Sequence, residues 1–118
     1  MQFQKPRAVA AGKESETVWV PNTDVYITDS GMVIKVEMAG MRREDLELTI
    51  EENCLKVSGQ RSDGCRAKKC KFMVMEINYG SFQTVVEVPA GYSINEATAS
   101  YLNGFLRVDV PVSKPIEK

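Results

Sequence analysis

Apolar residues recur at every second position along most of the chain. Ile34, Val36 and Met38 alternate with Lys35 and Glu37, Leu46, Leu48 and Ile50 with Glu47, Thr49 and Glu51, and Leu55 and Val57 with Lys56 and Ser58. A period of two sends successive side chains to opposite sides of an extended backbone, so each run predicts a strand with one buried and one solvated face. The pattern returns later. Phe82, Thr84, Val86 and Val88 share a face, as do Ala97, Ala99 and Tyr101, and then Leu106, Val108 and Val110. Between the runs stand TDSG, AGMRRED, EEN, GQRSDG, NYG, PAGYS and NG, which supply the Gly, Asn, Asp and Pro residues that strand connections require. REDLELTIEE is charged enough to suggest a helix, but its apolar residues repeat every second position and Thr49-Ile50 prefers strand; at most MRRED makes a short turn. The spacing predicts an all-β domain built as a two-sheet sandwich, closed by a hairpin through Asn103-Gly104.

Outside this region the pattern lapses. Residues 1–18 show no sustained periodicity and are expected to form a flexible amino-terminal arm, with the folded domain over 19–111 and a tail over 112–118. A chain of 118 residues suits one domain and one core, and 43% hydrophobic with 26% charged residues is ordinary for a folded protein. The net charge of -1 gives no general attraction to nucleic acid or to an anionic membrane, so neither is expected as a partner. No apolar run approaches the roughly 20 residues that cross a bilayer, and MQFQKPRAVAAGKESE lacks the apolar centre of a secretory signal, which makes the expected location cytoplasmic. Cys54, Cys65 and Cys70 are odd in number, in keeping with reduced thiols.

Candidate chemistry is sparse. Histidine is absent, which removes the commonest general base and metal ligand. Glu51-Glu52 has the form of an acid/base pair, yet adjacent carboxylates at a strand end are usually solvated. GQRSDG lacks the Lys-Ser/Thr ending and the helix that a phosphate cradle needs. In CRAKKCK, Arg66, Lys68, Lys69 and Lys71 surround Cys65 and Cys70, an arrangement that lowers a thiol pKa in a redox switch, but an exposed loop with incidental thiols is the preferred reading. Zinc wants four ligands, and only Cys54 remains to join the pair. No enzyme activity, cofactor or metal is expected. Met32, Met38, Met41, Met73 and Met75 fit either an adaptable binding surface or core filling.

Several motifs, in order, carry a resemblance. Pro21 and Asp24 are followed by Ala39-Gly40, Asp45-Leu46, Ser58-Gly59-Gln60-Arg61, Glu76 with Gly80 and Phe82, and Asn103-Gly104-Phe105-Leu106-Arg107-Val108. Over roughly residues 19–111 the chain resembles the alpha-crystallin domain of the small heat-shock proteins, of the bacterial and plant type. The resemblance implies an immunoglobulin-like sandwich and an ATP-independent holdase that binds exposed apolar segments of unfolding client proteins. It implies a client- or tail-binding groove lined by Leu46, Leu48, Ile50, Ala97, Ala99 and Tyr101, in which an inserted Ile or Val gains about 1.5–3 kcal/mol. It also implies a homodimer in which the long loop from Ser62 to Tyr79 contributes a strand, Phe72, Met73, Val74, Met75 and Glu76, to the partner's early strand, Asp24, Val25, Tyr26, Ile27 and Thr28. Such exchange satisfies an otherwise bare edge.

Two departures qualify the match. Gln83, Thr84, Val85, Val86 and Glu87 follow GSF where the family usually has arginines, so ion pairs through those arginines are not carried over. The tail KPIEK offers Ile116 alone where shell-forming members have two apolar anchors, a difference expected to weaken tail binding by about 2 kcal/mol, roughly thirtyfold. A rival reading from another class is a co-chaperone-like scaffold that binds one folded partner.

Overall fold

A computed structural model describes residues 7–8, 19–63 and 69–114. Among the described residues there are eight strands, in chain order β1 (Arg7–Ala8), β2 (Thr23–Thr28), β3 (Gly31–Glu37), β4 (Leu46–Glu51), β5 (Cys54–Arg61), β6 (Gly80–Glu87), β7 (Thr98–Leu102) and β8 (Phe105–Pro111). They form two four-stranded sheets, ordered β1-β4-β5-β6 and β2-β3-β8-β7. All pairs are antiparallel except β1 with β4, which run parallel. The expected two-sheet β-sandwich is therefore the fold.

The alternation does what its period requires. Ile34, Val36, Leu55, Val57, Leu106 and Val108 all lie on the inner faces and are buried, and with Met38, Leu48, Ile50, Phe82, Ala99 and Val110 they form one core between the sheets. Each large side chain removed from water in this way contributes about 1.5–3 kcal/mol. Two turns are set locally. Asn103 (φ 53°) and Gly104 (φ 82°) both adopt left-handed backbone, as the tight β7–β8 hairpin demands. MRRED becomes a single 3-10 turn, Arg43–Asp45, in which the Arg42 backbone N–H donates to Asp45 Oδ2 at 3.1 Å.

Gly59 permits a close approach that shapes β5. A Cβ there would stand 2.0 Å from the Asp45 carbonyl oxygen and 2.9 Å from Phe82 Cζ, so only glycine lets the entry to β4 and the Phe82 ring pack over this strand.

Three details depart from the sequence reading. The first pairing lies not near Trp19 but inside the arm, where Arg7 and Ala8 stand opposite Thr49 and Ile50 of β4. A bare β4 edge has unsatisfied N–H and C=O groups that such a segment can pair, whatever its own periodicity. Ala97 precedes β7, at the end of a 3-10 turn, although it is buried with the expected face. Thr49 and Val33, on the polar side of the alternation, are buried as well. Both lie on strands flanked on each side, Val33 between Tyr26 and Asp109, Thr49 between Arg7 and Lys56.

Candidate functional site

The described parts of the long loop, residues 62–63 and 69–79, contain no strand, and the apolar side chains from Phe72 to Ile77 face solvent. Met73 is 89% exposed, and Phe72, Val74, Met75 and Ile77 are exposed too. Ile77 was missed in the sequence reading, although it continues the every-second-residue series of Met73 and Met75. Polar Asn78 and Asn53, by contrast, sit in connections where exposure costs nothing.

β2 is the terminal strand of its sheet. Its inner-face residues Val25 and Ile27 are exposed, Ile27 by 67%, and so is Tyr26 on the other face. Asp24 and Thr28 are exposed at its two ends. The chain thus has an unsealed strand edge with apolar side chains and, elsewhere, an exposed apolar segment that is not part of a strand among the described residues. Each has the form of surface that another chain covers.

The second expected site is placed differently. Leu46, Leu48, Ile50, Ala97 and Ala99 all belong to the core cluster, and Leu48 is only 7% exposed. Tyr101 packs against that cluster and is half-buried. Its hydroxyl donates to the Met38 carbonyl at 2.8 Å and accepts from the Met41 N–H at 3.3 Å. Five of the six residues are therefore interior side chains, on the buried faces their parity implied, and Tyr101 packs half-buried against the same cluster. What lies open beside them is backbone: β7 ends its sheet, and the outer side of β4 carries the two residues of β1.

Other candidate chemistry is dispersed. Glu51 and Glu52 are exposed at the β4–β5 turn and, with Thr49, Cys54, Lys56 and Val85, line a shallow cavity of about 290 Å³. Cys54 is half-buried and Cys70 exposed, while Cys65, Arg66 and Lys68 lie outside the described residues. Among the described residues no group of His, Cys, Asp or Glu side chains converges as a metal site. On the outer face of the second sheet Arg107 makes a forked contact with Asp109. The hydrogen bonds and charge of Asp109 hold the Arg107 guanidinium above its ordinary pKa. Among the described residues no helix is long and apolar enough to cross a membrane.

Arg61, the last residue of β5, makes three side-chain hydrogen bonds near the loop, and nothing in the alternation marked it. Its Nε and Nη2 donate to the Asn78 carbonyl at 2.9 and 2.6 Å, and its Nη1 donates to the Ala39 carbonyl at 3.2 Å. The guanidinium also lies 4.4 Å from the ring centre of Trp19 and 5.5 Å from that of Tyr79.

Comparison with known proteins agrees with this architecture. The model of the Hsp20/alpha crystallin family matches residues 24–118. Small heat shock protein C2 of Rickettsia felis is 32% identical over 92 residues, which are 78% of this chain and 60% of that protein. A 16.9 kDa class I heat shock protein of Triticum aestivum is 33% identical over 111 residues, covering 89% of this chain and 74% of that one. Among solved structures, a small heat-shock protein from Xylella fastidiosa superposes with a TM-score of 0.77 at 24% identity, over 85% of this chain and 92% of the other, a likeness of fold. With a family model spanning most of its length and relatives above 30% identity, this chain belongs to the Hsp20/alpha crystallin family.

Proposed function

We propose that the protein is an ATP-independent holdase chaperone whose working unit is a homodimer made by exchange of the loop. The observation that carries this reading is the pair of complementary surfaces on one subunit. β2 ends its sheet with Val25 and Ile27 uncovered, and the segment Phe72–Ile77 carries five exposed apolar side chains. Laid along β2 of a second copy, the segment would satisfy the free backbone edge and cover the two side chains at once. Lys69 and Lys71 at the loop and Asp24 and Asp29 on the edge have opposite charge, which favours the encounter.

Client or tail segments are proposed to lie along the margin between β4 and β7. There a guest strand finds the free edge of β7 and, just inside, Leu46, Leu48, Ile50, Ala97, Ala99 and Tyr101. Partial withdrawal of the short β1 pairing would lengthen the available β4 edge. Binding of this kind uses only burial and backbone hydrogen bonds, so it is reversible and needs no nucleotide.

The test is light scattering by a heated client at near-stoichiometric chaperone, without ATP. Suppression of scattering is expected, together with its weakening in Tyr101→Glu; Leu48 is too deeply buried for a charged variant to report on binding apart from folding. Unchanged client aggregation would remove the holdase reading. A single stoichiometric folded partner would instead point to the scaffold alternative.

A further inference from the structure

We infer that Arg61 is a positioning residue for dimer assembly: it locks the base of the exchange loop to the chain entering β2, so that each subunit presents its donor segment and its receiving edge in a fixed relation. The inference rests on the exchange reading above and assigns it a specific side chain.

Two groups of contacts meet at Arg61. On the loop side, both Nε and Nη2 converge on the Asn78 carbonyl, and the guanidinium faces the Tyr79 ring. Asn78 immediately follows the exposed segment that ends at Ile77, so this contact defines where the segment leaves the subunit. On the edge side, the same guanidinium lies over Trp19, close before the start of β2 at Thr23. Trp19 is itself held in several ways. Its Nε1 donates to the Gly80 carbonyl at 3.1 Å, its backbone N–H to the Ser81 carbonyl at 3.2 Å, and its ring packs 5.2 Å from that of Phe82. Trp19, Arg61, Tyr79 and Gly80 thus tie the start of the receiving strand to the end of the donating loop.

A third contact extends the clamp: Nη1 donates to the Ala39 carbonyl, just beyond the end of β3, the strand that pairs with β2. The planar fork of arginine meets these carbonyls and stacks on an aromatic ring at the same time; a lysine ammonium keeps the charge but not the fork. Reciprocal exchange requires each subunit to donate and receive together. Fixing the loop base before association reduces the ordering that binding must supply, which is where such a clamp gains affinity.

The experiment compares wild type, Arg61→Ala, Arg61→Lys and Ile27→Asp in the full chain. Sedimentation equilibrium gives the dimer dissociation constant, and unfolding is followed at concentrations below it. Trp19 is the only tryptophan, so its emission reports directly on the Arg61 contact. Arg61→Ala is expected to raise the dissociation constant about tenfold or more and to change Trp19 emission, with Arg61→Lys intermediate in both. Should Arg61→Ala fail to fold, Arg61→Lys carries the same test, supplemented by faster hydrogen exchange of the 72–77 amides. If Ile27→Asp dissociates the dimer while neither Arg61 variant weakens it, the inference is wrong and loop exchange stands. If the wild type stays monomeric, or Ile27→Asp leaves the dimer intact, loop exchange itself fails and this inference falls with it.

Discussion

β2 and β3 are neighbours in one sheet with matched apolar residues, yet they meet opposite environments. Ile34 of β3 is 0% exposed, whereas its register partner Val25 of β2 is 46% exposed; Met32 and Ile27 repeat the contrast one pair along. All four project from the same face of the sheet. Residue type therefore does not decide burial here; position in the sheet does. β3 lies between β2 and β8, under the opposing sheet's side chains, while β2 is terminal and its inner face extends past that cover. An exposed apolar pair in this terminal position fits the proposed exchange edge, where a second copy would cover it.

Substitution can sharpen this contrast. Ile34→Ala is expected to cost about 2–5 kcal/mol in denaturant unfolding, because a fully buried site loses transfer energy and gains a cavity. Ile27→Ala, on the same face, should change subunit unfolding by less than about 0.5 kcal/mol. Equal effects would break the comparison.

Association should reverse the ranking. In an exchange dimer Ile27→Asp removes two apolar anchors by symmetry, each worth about 1.5–3 kcal/mol, so the dissociation constant should rise on the order of a hundredfold or more by sedimentation. A dimer mass unchanged at micromolar concentration would show that the β2 edge is not the interface.

A smaller effect is expected at Tyr101, where Tyr101→Phe deletes a hydroxyl bridging the Met38 carbonyl and the Met41 N–H. The cost should be about 1 kcal/mol in unfolding, because the ring remains packed against the core. Smallest of all, Arg107→Ala breaks an exposed ion pair with Asp109 and should move unfolding by no more than about 0.5 kcal/mol. These two separate contacts that fasten the β7 margin from contacts that merely decorate the outer face.

The period-two pattern indicated most of the side chains that enter the core, though not Val33 and Thr49, and pointed to a two-sheet sandwich. Ile34, Leu48, Leu55, Val57 and Leu106 lie inside because an extended backbone leaves them no alternative once one face packs. The Asn103-Gly104 turn was equally legible, since its left-handed backbone is a local preference of those residue types. The residues of the proposed dimer edge and tail groove came from resemblance, and their parity alone could not separate an open groove from a filled interior.

Only the tertiary structure decided the rest. Which strands end their sheets, and hence that Val25 and Ile27 stand in solvent while Leu46 and Leu48 do not, depends on strand order, which pairs segments far apart in sequence. The same long-range geometry brings Trp19, Ala39, Arg61 and Asn78 to one point. Periodicity records the environment of a residue along its own strand; it carries no information about what lies beside that strand, and that lateral neighbour determines both the free edge and the clamp next to it.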